Sequence, residues 1–185
     1  MREAINIILK QIIDRKAKEF SLEKEKRDHT GPVVSIWRQE DWHLFAWLEH
    51  PLVPALEIQC SISIEEGFVR AVWFPHPTLM ITPDTKTEFI LFSNEANIEM
   101  QSGGKFWCND EFDFAYEILM KDEIIENCTE EAARLLFDLP YLQFHDLHLP
   151  LIMLSDGKWK SDIAIRYIKE LRENGYVDNS DYGLW

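Results

Sequence analysis

Across residues 88–120 one spacing of apolar side chains gives way to another, and the change falls at Gly103-Gly104. Before the glycines, Phe89, Phe92, Ala96 and Met100 recur at helical intervals. After them, Phe112, Phe114, Tyr116, Ile118 and Met120 alternate with Asp113, Ala115, Glu117 and Leu119, which is strand spacing. A helix that runs through a glycine turn into a hairpin confines the chain to mixed folds. The stretch supplies no reactive group.

The flanks extend this pattern. Ile5, Ile8, Leu9, Ile12, Ile13 and Phe20 make one face of an amphipathic helix over residues 1–28, which ends before Gly31-Pro32. Residues 33–38 and 42–49 flank a polar turn at Gln39-Glu40-Asp41 and predict a hairpin. Leu56, Ile58, Cys60, Ile62 and Ile64 alternate with polar residues and predict a strand with one wet face. Glu66-Gly67 turns it into a strand over 68–74.

Thr85 and Glu88 form a capping-box signature for the helix ending at Met100. Gly103-Gly104 reads as its C-cap and turn. Thr129 is expected to cap a helix over 130–138 that Pro140 interrupts. Pro150 should kink or break the apolar segment 141–154. A helix over 158–175 ends at Gly175, and 176–185 is a tail whose Tyr182, Leu184 and Trp185 either fray or tuck into a groove. The expectation is one α+β domain over 1–175: a largely antiparallel sheet of about five or six strands with helices packed on it.

With 46% hydrophobic residues, including eleven Phe and seven Trp, one packed core is within reach. The net charge of −14 argues against nucleic acid and anionic membrane as partners. Charge is uneven. Residues 1–30 hold eight Lys/Arg against six Asp/Glu, so the rest of the chain carries all of the negative excess. The first helix is either a surface helix with ion pairs or docks on the acidic body of its own chain or a twin. Three cysteines without a paired spacing fit a reducing cytoplasm, and no apolar run is long enough for a signal peptide or membrane span.

Candidate chemistry is sparse. His145, Asp146 and His148 have helical spacing that suits one ion but lack a further ligand, so they read as polar capping or packing groups. His43, His50, His76 and His29 have no neighbour that defines a role. Glu95 and Glu99, with Glu88 further back, read as a solvated acidic helix face. Asp113 and Glu117 share one side of their strand, yet carboxylate chemistry needs a cleft that spacing does not reveal. No nucleophile elbow, phosphate loop or dinucleotide fingerprint is present, and no metal or cofactor is expected.

The residues Asn94, Asn97, Gly103, Gly104, Lys105, Phe106 and Trp107, the strand over 112–120 with the helix after it, and Leu149-Pro150-Leu151-Ile152 ahead of Gly157 resemble the YbjN-like family. The resemblance covers residues 56–157. It implies the fold of type III secretion chaperones: a helix, three strands, a helix, two strands and a helix. This chain departs from it by an extra N-terminal strand and an added C-terminal helix. The resemblance further implies a small acidic cytoplasmic protein, often a homodimer, that works by binding other proteins. Members are described as regulators of sensory transduction, and chaperone relatives hold secreted proteins in extended form. No catalytic residue carries over.

The resulting expectation is a non-enzymatic protein-binding module. Trp42, Phe45, Trp47, Phe106 and Trp107 would supply the contact surface, and Glu95 and Glu99 an acidic rim that steers a basic partner. The alternatives are an acidic immunity or antitoxin-like inhibitor of a basic toxin, and a metal- or carboxylate-dependent hydrolase.

Overall fold

The computed structural model describes residues 2–26, 37–38, 42–75, 79–100, 103–109, 111 and 113–183; of residues 2, 17–26, 37–38, 42–47, 49 and 179 it describes the backbone. The expected strand over 33–36, the turn at 39–41, and Leu184 and Trp185 lie outside these residues.

The order is α1 (Arg2–Lys26), β1 (Trp37–Arg38), β2 (Trp42–His50), β3 (Val53–Ile64), β4 (Phe68–Pro75), α2 (Pro83–Met100), β5 (Lys105–Cys108) and β6 (Phe114–Lys121). Then follow α3 (Asp122–Asn127), α4 (Thr129–Ala133), a π-helical turn (Arg134–Asp138), α5 (Leu139–Ser155), α6 (Ser161–Asn174) and a 3-10 turn (Asn179–Tyr182). The architecture is α+β around one open antiparallel sheet, ordered β1-β2-β3-β4-β6-β5. Among the described residues, four strands of full length, β2, β3, β4 and β6, carry it. The expected five or six are reached only by counting the two-residue β1 and four-residue β5 at the edges. The chaperone-like order is also not matched, because several helical segments follow β6 where that order has one.

Alternation decides which side chains enter the core. Ile58, Cys60 and Ile62 of β3, Val69, Ala71 and Trp73 of β4, and Tyr116, Ile118 and Met120 of β6 are buried together with Phe89 and Phe92 of α2 and Phe144 and Leu147 of α5. On α1, Ile5, Leu9, Ile12 and Ile13 join the same cluster. Its ion pairs reach across the fold: Arg15 meets Glu130, and Lys16 Nζ lies 2.8 Å from Asp138. The basic helix thus docks on acidic segments of its own chain.

Several boundaries differ from expectation for local reasons. The capping box sits three residues early. The Thr82 carbonyl accepts the first helical bond, from Lys86 N–H at 2.9 Å, and Thr82 N–H donates to Thr85 Oγ1 at 3.0 Å. Pro83 then occupies the first helical position, where its missing N–H costs nothing. Thr129 caps nothing; its hydroxyl donates back to the Ile125 carbonyl, and α3, which the spacing did not reveal, fills 122–127.

Pro140 does not interrupt the chain's helical path, which passes through the π-helical turn just before it. A proline has no N–H to give the carbonyl four residues earlier, that of Leu136. Trp73 Nε1–H donates to that carbonyl at 2.9 Å instead. Pro150 likewise lies inside an unbroken α5. An internal proline costs about 3 kcal/mol. The buried Leu147, Leu149, Leu151 and Leu154 each return about 2 kcal/mol, so packing outweighs the break.

The glycine pair works differently from a left-handed cap. Positive φ occurs at Gly67, Gly157, Gly175 and Gly183 and at neither Gly103 nor Gly104. Gly104 is required by close approach, since a Cβ there would lie 2.6 Å from the Glu117 carbonyl oxygen. Gly175 does cap α6 as expected, with φ 75° and its N–H on the Leu171 carbonyl at 2.8 Å. Of the tail, Tyr182 is tucked in, between Trp159 and Tyr167 with its hydroxyl 2.8 Å from Glu170.

Candidate functional site

The sheet face turned away from the buried cluster is only partly covered. Register places Ser61 beside Val72, Val72 beside Glu117 and Glu117 beside Lys105, a row across β3, β4, β6 and β5. At one end of this face lies a groove of about 380 Å³. Val72, Phe74 and Trp107 line it from the strands, with Leu79 and Ile81 from the segment entering α2. Arg70, Ser61 and Asp113 add the polar part.

The electrostatics of the groove lean negative. Arg70 Nε–H donates to Glu117, and both side chains are partly exposed. Asp113 is set by the hairpin turn: Asn109 Oδ1 accepts the N–H groups of Glu111 and Asp113, and Asn109 Nδ2 donates to Asp113 Oδ2 at 3.0 Å. With Arg70 paired to Glu117, Asp113 leaves an acidic end to an apolar trough. Among the described residues that line it are rings, Arg70 and the Asp113 carboxylate, and none is a histidine or cysteine.

The sequence-derived contact residues divide. Trp107 is half-buried and lines the groove. Phe106, one residue away, does not belong to a surface. It is 1% exposed, 4.6 Å from the Tyr116 ring and stacked on Phe114 at 5.8 Å. Alternation along β5 forces this split. The side chains of Trp42, Phe45 and Trp47 lie outside the described residues; in backbone register Trp42 pairs with Ile62, Phe45 with Gln59 and Trp47 with Glu57.

Glu95 and Glu99 do not rim the groove. They sit on α2 toward α6, where Glu99 lies 2.9 Å from Lys169 Nζ and raises the lysine's pKa, with a smaller contribution from Glu95. Glu88 serves the same junction: its carboxylate accepts Ser161 N–H at 2.8 Å, which with Lys160 holds it below the usual carboxylate range. It supplies the N-terminal cap that α6 lacks from its own side chains. Arg70, Leu79 and Ile81 were missed as lining residues. The flanking of Arg70 by Phe68 and Val72 on one strand face was their only signal.

The structure gathers histidines that the sequence scattered. His50, at the end of β2, meets His148 of α5 edge-on at 5.7 Å, and His145 lies one turn before His148. Among the described residues, no group of three or more His, Cys, Asp or Glu is placed to hold a metal ion. Cys60 is sealed in the core, where burial pushes its thiol up. Cys108 is partly buried and Cys128 exposed.

These features define an α+β protein with one covered and one partly open sheet face. No protein-family model, curated protein or solved structure matches the chain. Among the described residues, no helix is long and apolar enough to cross a membrane.

Proposed function

We propose that this chain is a non-enzymatic protein-binding module of the YbjN type, regulatory or chaperone-like in role, acting in the cytoplasm as a homodimer. The observation that carries the reading is the groove beside Trp107. It has aromatic and aliphatic walls, an acidic end at Asp113, and the volume for one or two bulky side chains. Its occupant is an extended, basic segment of another protein, whose Lys or Arg meets Asp113 while an adjacent apolar side chain packs on Trp107 and Phe74. The chain's charge of −14 steers such a partner and repels nucleic acid.

An array of short synthetic peptides that vary in charge and apolar content tests this. Peptides pairing Lys or Arg with a bulky apolar residue are expected to bind. Trp107→Ala should weaken them by about 2 kcal/mol, roughly thirtyfold in Kd, with little change in thermal stability. Asp113→Asn should remove the preference for basic residues. Retention of charge-selective binding by both variants would exclude the groove. Light scattering at twice the 21.9 kDa chain mass would support the dimer. The exposed Leu91 and Ile98, one heptad apart on α2, are the residues a second copy would cover.

A further inference from the structure

We propose that His50, His145 and His148 form an acid-operated latch, which holds the β2–β3 hairpin on α5 while the rings are neutral and releases it once they are protonated. The inference stands whether or not the groove binds a partner.

The geometry assigns each ring a task. β2 ends at His50, and the turn to β3 passes through Pro51 and Leu52. Leu52 N–H donates to His50 Nδ1 at 3.2 Å. That bond needs a lone pair on Nδ1, so a proton there removes the acceptor and sets two donors against each other. His148 lies on α5 and is almost fully buried. Its Nε2 is 2.8 Å from the Pro54 carbonyl. A carbonyl only accepts, so Nε2 carries hydrogen, and this bond ties α5 to the start of β3. The His50 and His148 rings meet edge-on at 72°, which leaves the two imidazoles in contact. Neutral rings pack well in that arrangement; two cations do not.

The surrounding charges do not relieve this. Among the described residues, the titratable group facing His148 from β2 is His50; from β3 it meets the Pro54 carbonyl; from α5 both rings feel His145. The carboxylate of the cluster, Asp146, is 3.6 Å from His145, and its influence extends toward Tyr167 of α6. Among the described residues no carboxylate offsets a charge on His50 or His148. The Asp146 carboxylate beside it raises the pKa of His145, so His145 takes the first proton as pH falls. Its charge then opposes the next two.

The linkage has a definite sign. Burial lowers His50 and His148 below 6.5 in the folded chain, helped by the charge of His145 and, at His148, of His50; the Pro54 carbonyl pulls His148 the other way and burial outweighs it. Their contribution to stability is complete above that value and is lost as pH falls through the folded pKa values. His145 is raised, so its contribution is present below 6.5 and is lost as pH rises through its folded pKa. Two rings oppose one, and the pair that is lost in acid is the pair that touches the hairpin. The freed element is β2, which carries Trp42, Phe45 and Trp47, whereas α2 and α6 are held by contacts that involve no histidine.

Amide hydrogen exchange on the full chain, corrected for the intrinsic effect of pH, tests the latch. From about pH 7.5 to about pH 5.5, protection of residues 42–54 is expected to fall by about tenfold or more, while α2 and α6 keep theirs. Equal protection at both pH values would overturn the proposal. The pair His50→Asn and His148→Gln preserves an acceptor for Leu52 and a donor for Pro54 without a titrating ring. Its hairpin should stay protected in acid; an acid loss equal to that of the parent would also overturn the proposal. Should that variant fail to fold, ring-proton titration of the parent decides. Midpoints below 6.5 for His50 and His148 and above it for His145 are required.

Discussion

Gly104→Ala is expected to destabilise the protein by about 3 kcal/mol or more, enough to leave little folded chain if its stability is ordinary. The added Cβ would lie 2.5 Å from Tyr116 Cζ, 2.7 Å from the Tyr116 hydroxyl and 2.6 Å from the Glu117 carbonyl oxygen. The tyrosine ring cannot swing aside, because it is fully buried and packed 4.6 Å from Phe106. The carbonyl belongs to β6 backbone and cannot move without disturbing its pairing with β4 and β5. Gly103→Ala is the control. Among the described residues its Cβ would meet only Leu135 Cδ2, at an ordinary 3.5 Å, and it should cost under about 1 kcal/mol. Urea unfolding of the two variants separates them, and equal midpoints would show that the tight approach at Gly104 has been misread.

Asn97→Leu is expected to cost about 2–4 kcal/mol and to promote self-association. Asn97 stands on α2 and reaches the outer edge of β5. Its Oδ1 accepts Phe106 N–H at 2.6 Å, and its Nδ2 donates to the Phe106 carbonyl at 2.8 Å. One amide thus satisfies both outward backbone groups of an edge-strand residue, and it does so where a foreign strand would otherwise pair. Leucine leaves both groups partly buried and unpaired. Asn94, one turn earlier, is exposed, and Asn94→Ala should change stability by no more than about 0.5 kcal/mol. Concentration-dependent light scattering by the Asn97 variant alone would show that the amide guards this edge. An unchanged unfolding midpoint would remove it from that role.

Both asparagines stood out in the sequence, yet spacing treats them alike. The same holds for Phe106 and Trp107. Their opposite fates, one in the core and one in the groove, follow from strand alternation and were legible once β5 was recognised. The direction of alternation was not legible, because it depends on which face α2 and α5 cover. Glu88 shows the opposite error. Its helical neighbours suggested a role within α2, but its carboxylate caps α6, 73 residues later.

The amino-acid sequence alone determined the elements whose signals are local: α1, the β3–β4 hairpin, α2, the β5–β6 hairpin and the glycine-capped α6. Period, turn chemistry and capping act over a few residues, so a linear reading suffices for them. Tertiary packing decided which sheet face stays open, that Trp73 serves the carbonyl orphaned by Pro140, that α1 pairs with its own acidic segments, and that His50 meets His148. Each of these joins residues far apart in the chain. Such contacts are selected by the burial of the whole core, which no local spacing encodes.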